Sequence, residues 1–80
     1  MNDLEILQSL KDVLNEMMPD ADLSGVTADT RLGDDLGIDS LKMLQLAILT
    51  EDALKVRFFG RVKFETVGDV IAYIQRSMKN

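Results

Sequence analysis

Residues 34–41 read Asp34-Asp35-Leu36-Gly37-Ile38-Asp39-Ser40-Leu41, and two unlike stretches of chain meet in them. Upstream, residues 19–39 hold three glycines, one proline and six aspartates, with no helical or strand period to follow. Downstream, from Ser40 to about Lys55, Leu41, Leu44, Leu46, Ala47, Ile48, Leu49, Ala53 and Leu54 describe a helix apolar over more than one face. Such a helix is expected to be sandwiched between others. The string is thus an acidic loop that closes on glycine, then an Asp-Ser pair that opens an apolar helix. Ser40 falls at the N-cap or in the first turn, its hydroxyl facing solvent beside unpaired N–H groups and the positive end of the helix dipole. A phosphate ester is well accommodated there. Capping by Asp39 or Ser40 is the simpler role, but capping alone does not account for the whole surrounding string.

Working outward, Leu4, Leu7, Leu10, Leu14 and Met17 recur at steps of three and four, with Ile6 and Val13 widening the stripe. They predict one core-facing helix from about Asp3 to Met17, with Asp3 as its cap and Pro19 disfavouring helix at Met18. The long segment that follows is expected to be an ordered loop, anchored by Leu23, Val26, Leu32, Leu36 and Ile38. Thr50 is an irregularity, because it sits between Leu46 and Leu54 on a row that should be buried. Residues 56–65 carry conflicting signals. Their alternation suggests a strand, but a lone strand has no partner, so a turn and a short helix are the better expectation, with Phe58, Phe59, Val62 and Phe64 supplying core. A last helix is expected from Val67 to about Met78, with Thr66 and Asp69 at capping-box spacing, Val67, Val70, Ile71 and Ile74 inward, and Arg76 and Lys79 suited to its C-terminal dipole. The fold class is all-α: one domain over residues 1–80, a small three- to four-helix bundle with a long ordered loop between its first two helices.

The composition narrows the chemistry. Eighty residues bury only about 60% of the unfolded surface, so a net stability of roughly 4–12 kcal/mol is expected. With no cysteine and no histidine, disulfides, thiolate catalysis and the usual general base are excluded, as is the commonest metal ligand. No apolar run approaches the roughly 20 residues of a membrane span, so no membrane insertion is expected. The N-terminal stretch is acidic and amphipathic rather than a secretory signal, and a cytoplasmic or organelle-matrix protein is the default expectation. The charge of −5 divides into −8 over residues 1–39 and +3 over residues 40–80. The acidic half repels nucleic acid and anionic membranes, and the basic half lacks a dense cluster with interleaved aromatics.

Two sharper readings fail on spacing. A serine hydrolase needs a base; Lys42 lies two residues from Ser40 on a different helical face, and no Gly-x-Ser-x-Gly turn is present. Asp20-x-Asp22-x-Ser24-Gly25 matches the first six positions of a calcium-binding EF-hand loop. The twelfth position, where a bidentate glutamate belongs, is Arg31, and Pro19 interrupts the entering helix. No metal site is expected.

Thr30-Arg31-Leu32 followed by Asp35-Leu36-Gly37-Ile38-Asp39-Ser40-Leu41 resembles the attachment motif of the acyl carrier proteins. The order of elements is similar too: helix, long loop, Asp-Ser-Leu helix, short third helix, final helix. The resemblance implies that a phosphopantetheinyl transferase moves 4′-phosphopantetheine from coenzyme A onto the Ser40 hydroxyl. It implies that the arm's terminal thiol carries acyl groups as thioesters, in fatty-acid, polyketide or related lipid biosynthesis. The missing cysteine is compatible with this, since the reactive sulfur belongs to the cofactor. The protein itself would be a non-catalytic monomer that protects or presents the chain with its interior, while acyl-transferring and chain-elongating synthase enzymes dock on the second helix. Asp39, Leu41 and Ile38 would flank the serine in the transferase interface. Lys42 and Gln45 stand where family members usually carry acids, leaving Glu51 and Asp52 as that helix's acidic pair, and Lys55, Arg57, Arg61 and Lys63 follow. Partners of the family generally read the carrier with basic patches, so this departure implies a specialised carrier. A peptidyl (aminoacyl) carrier of a nonribosomal pathway would share the serine and the arm. A helical interaction module with Ser40 as a mere cap would accept no prosthetic group.

Overall fold

The computed structural model describes residues 2–58 and 64–78. Helix α1 spans Asp3–Met17. Its cap is Asn2, not Asp3: the Asn2 side chain accepts from the Glu5 N–H at 2.8 Å while Glu5 Oε1 accepts from the Asn2 N–H at 3.1 Å. A reciprocal box needs the carboxylate three residues on, and Asn2 has Glu5 there whereas Asp3 has Ile6. Asp3 Oδ1 instead accepts from Gln75 Nε2 at 2.7 Å, tying this end of the molecule to the last helix. The buried face of α1 is Ile6, Leu10, Val13 and Leu14. Leu7 and Met17 are half-buried at its edge and Leu4 lies outside it, so the stripe is centred slightly round from the one Leu4 would define.

The loop after α1 is ordered, as its composition and spaced apolar residues suggest. Leu23, Val26, Leu32 and Ile38 are buried in the core and Leu36 packs against it. Asp22 accepts from both the N–H (3.0 Å) and the hydroxyl (2.7 Å) of Ser24, which holds its carboxyl below the usual carboxylate range. Helix α2 spans Ser40–Leu54 and helix α3 spans Val67–Met78. The loop is stitched to the start of α3 by main-chain bonds: Val67 N–H to Thr30 O (2.9 Å), Gly68 N–H to Ala28 O (2.8 Å) and Leu32 N–H to Glu65 O (2.8 Å). Two amides that the first turn of a helix leaves unpaired are satisfied in this way. The Thr66–Asp69 box forms as well: Asp69 N–H donates to Thr66 Oγ1, and the Asp69 carboxylate accepts from the Thr66 and Glu65 N–H groups. Those donors hold the Asp69 carboxyl below its ordinary range.

Helix α1 packs against both α2 and α3, whereas no Cα atom of α2 comes within 8 Å of one in α3. Ile6, Leu14, Leu32, Val67, Val70 and Ile74 are sealed from solvent at the centre. Helix α2 is not sandwiched. It buries only Leu46 and Thr50 fully, and Leu41, Leu44 and Ile48 stand 74%, 58% and 55% exposed. Helix α1 packs on one side of α2, and among the described residues nothing covers the side that carries Leu41, Leu44 and Ile48. Beyond α2, Val56 is buried and the Phe58 ring stacks on Tyr73 with centroids 4.9 Å apart. Phe64 meets both rings edge-on at 5.8 Å. Of the turn and short helix expected within residues 56–65, residues 56–58 and 64–65 are not helical, and residues 59–63, with the core positions expected at Phe59 and Val62, lie outside the described residues.

Gly68 shows how closely the loop approaches α3. A Cβ built there would lie 2.9 Å from the Ala28 carbonyl oxygen. At an ordinary helix position Gly→Ala gains up to about 1 kcal/mol. Here Gly68→Ala is expected to cost about 1–3 kcal/mol through overpacking against backbone, read as a lower urea midpoint; a raised midpoint would contradict the close approach.

Candidate functional site

The loop's last turn delivers the serine. The Asp35 N–H donates to Arg31 O and the Gly37 N–H to Gly33 O, making one helical turn that Gly37 ends in the left-handed region at φ 69°. Ending a turn this way is natural for glycine and strained for other residues. The Ile38 N–H then returns to Leu32 O at 2.9 Å and the Ile38 side chain enters the core. With both neighbours fixed, Asp39 becomes the N-cap of α2: its Oδ1 accepts from the Lys42 N–H at 2.9 Å, and its carbonyl accepts from the Met43 N–H at 2.8 Å. A cap of this kind contributes about 1 kcal/mol to the helix.

Ser40 is therefore the first residue of α2 and is exposed. Among the described residues its hydroxyl has no hydrogen-bond partner, and the N–H groups of Ser40 and Leu41 have no acceptor. The nearby carboxylates are committed to local donors. Asp35 Oδ2 accepts from the Arg31 N–H at 2.8 Å, and Asp34 meets the Arg31 guanidinium at 3.3 Å. An exposed primary hydroxyl beside two free main-chain N–H groups and the positive end of a helix can carry a phosphodiester without displacing anything. Among the described residues no side chain hydrogen-bonds to it, so none of them stands as its activating base.

Of the residues singled out around it, Asp39, Leu41, Lys42, Gln45 and Asp52 are exposed. Ile38 turns inward. Glu51 is half-buried, and its Oε2 accepts from the Phe58 N–H at 2.8 Å, so it braces the chain after α2. Leu41, Leu44 and Ile48, at positions i, i+3 and i+7, form an apolar stripe on the open side of α2. The apolar pattern predicts a helix sandwiched between others, whereas the family resemblance sets Leu41 at an interface. The signal that could have found them is excess: α2 has more apolar faces than a chain of this size can cover. Among the described residues no group of three His, Cys, Asp or Glu side chains could hold a metal ion, and no helix is long and apolar enough to cross a membrane.

The geometry agrees with what the chain is similar to. It is 40% identical over 74 residues to the acyl carrier protein of Rhodococcus erythropolis, a match covering 90% of this chain and 80% of that protein. Identity is 39% over 74 residues with the meromycolate extension acyl carrier protein of Mycolicibacterium smegmatis, covering 90% and 74% of the two chains. The acyl carrier protein of Thermotoga maritima is 36% identical over 76 residues, covering 92% of this chain and 93% of that one. A family model described as the phosphopantetheine attachment site matches residues 4–74. The chain belongs to that family, whose domain carries covalently bound 4′-phosphopantetheine.

Proposed function

We propose that this protein is an acyl carrier of fatty-acid, polyketide or related lipid biosynthesis, with 4′-phosphopantetheine attached to Ser40. The observation that supports this most is the Ser40 hydroxyl itself, exposed and unengaged at the first position of α2 inside the Asp35–Leu41 string. When bound, the group supplies a long arm whose terminal thiol holds an acyl chain as a thioester. The chain's own residues do the rest. Asp39 fixes the helix start, and Ser40 supplies the oxygen. Since no base faces that oxygen among the described residues, the proton passes to a phosphopantetheinyl transferase. The apolar stripe of Leu41, Leu44 and Ile48 gives that enzyme and later acyl-transferring and chain-elongating enzymes a place to dock. Exposed apolar area of this kind marks an interaction site. On this reading the protein is a non-catalytic, monomeric, single-domain carrier working in the cytoplasm. The acyl-carrier names of its relatives favour an acyl over a peptidyl cargo.

The charge around the stripe supports a specialised carrier. Lys42 and Gln45 are exposed beside it, and Glu51 is occupied with Phe58, leaving Asp52 as the exposed acid of α2. A housekeeping ketosynthase that docks through a basic patch is expected to turn this carrier over more slowly than a typical acidic one. Lys42→Glu with Gln45→Glu should recover on the order of tenfold, chiefly in association rate and less so at high salt. Equal turnover of the unaltered protein and a typical acidic carrier would count against specialisation.

Attachment is read by intact-protein mass after incubation with coenzyme A, magnesium and a broad-specificity transferase. A gain of one phosphopantetheine, absent in Ser40→Ala, is the expected result. A folded protein that gains nothing beside a working control carrier would overturn the carrier reading.

A further inference from the structure

Thr50 is wholly buried at 0% exposure, and among the described residues its hydroxyl has no hydrogen-bond partner. It occupies the middle of the inward row Leu46, Thr50, Leu54 on α2, where every other position is apolar. Threonine in a helix commonly satisfies its hydroxyl on the carbonyl one turn back; here it does not. A buried, unpaired hydroxyl weakens a fold, and a valine of nearly the same shape would remove the penalty. The hydroxyl therefore has no stabilising role that its surroundings explain.

Resting on the carrier reading, we propose that the partner is an oxygen on the acyl cargo, and that Thr50 adapts this carrier to chains bearing a keto or hydroxyl group at the 3-position. Two features are compatible with a cargo at that position. Thr50 lies ten residues beyond Ser40, about 15 Å along α2, a span comparable to the extended arm. The thioester end of a cargo drawn inward then lies level with Thr50, and the first oxygen beyond the thioester is the one on carbon 3. Helices α2 and α3 also have no Cα atoms within 8 Å of each other, so a chain can part them without breaking close backbone packing. A keto oxygen accepts from the Thr50 hydroxyl, and a 3-hydroxyl can donate or accept. A saturated chain leaves it unpaired.

The test loads Ser40 with octanoyl-, 3-oxooctanoyl- or 3-hydroxyoctanoyl-phosphopantetheine from the corresponding coenzyme A thioester. Loading is verified by intact mass, and the melting temperature of each form is then measured. The 3-oxo and 3-hydroxy forms are expected to melt above the octanoyl form by roughly 4–8 °C, the shift one hydrogen bond gives a domain of this size. Thr50→Val should raise the melting temperature of the unloaded protein and abolish the difference between cargoes. Thr50→Ser, which keeps the hydroxyl, should preserve it. A chain that gains no mass overturns the carrier reading and this assignment with it. Loaded forms that melt together, or a difference that survives in Thr50→Val, overturn the assignment and leave the carrier reading standing.

Discussion

Everything in this small fold depends on a few main-chain hydrogen bonds between residues 28–32 of the long loop and residues 65–68 at the start of α3. They solve two problems at once. The first turn of α3 has amides with no partner inside the helix, and the loop carbonyls of Ala28 and Thr30 supply acceptors for two of them. The loop, which has no periodic structure of its own, receives in return a fixed position for Leu32, whose side chain is sealed in the core. The return bond from Ile38 to Leu32 then sets where α2 begins. Ser40 is held in place by residues far away in sequence, although among the described residues its own hydroxyl makes no hydrogen bond.

The division of labour follows from size. Eighty residues supply one core, built by α1 against both other helices, and it is too small to enclose α2. The inner side of α2 contributes Leu46 and Thr50 to the interior, and the other side leaves Leu41, Leu44 and Ile48 in solvent. Such exposure would be a liability in an isolated protein. On the proposed carrier reading it suits a protein gripped repeatedly and briefly by larger partners, with the reactive group at the Ser40 end of that helix.

Much of this was legible in the sequence because it is local. The bounds of all three helices follow from apolar periodicity, from Pro19, and from the Asp39-Ser40 and Thr66–Asp69 signals, which act within one turn of chain. The cap of α1 was misplaced by one residue because Asn2 and Asp3 are both capping types, and only the distance to Glu5 separates them. The pairing of the loop with α3 leaves no periodic trace, since it joins residues more than thirty apart. The apolar pattern of α2 predicts a sandwiched helix and leaves its open face unseen, because apolar residues signal contact without saying whether the contact lies within the chain or with another protein; only the family resemblance sets Leu41 at an interface. Ser40 illustrates the reach of each kind of reasoning. Physics places an exposed hydroxyl at a helix start, whereas the attachment chemistry rests on the surrounding string and on the family to which the chain belongs.

The dependence of the serine's position on the loop–α3 pairing is tested most directly by amide hydrogen exchange in the intact protein. The Leu32, Ile38, Val67 and Gly68 amides should exchange in the slowest class, together with the core of α1, while the Ser40 and Leu41 amides exchange fast. Exchange of the first four at rates typical of an unstructured loop, with α1 still protected, would contradict the claim that these bonds hold Ser40 in place.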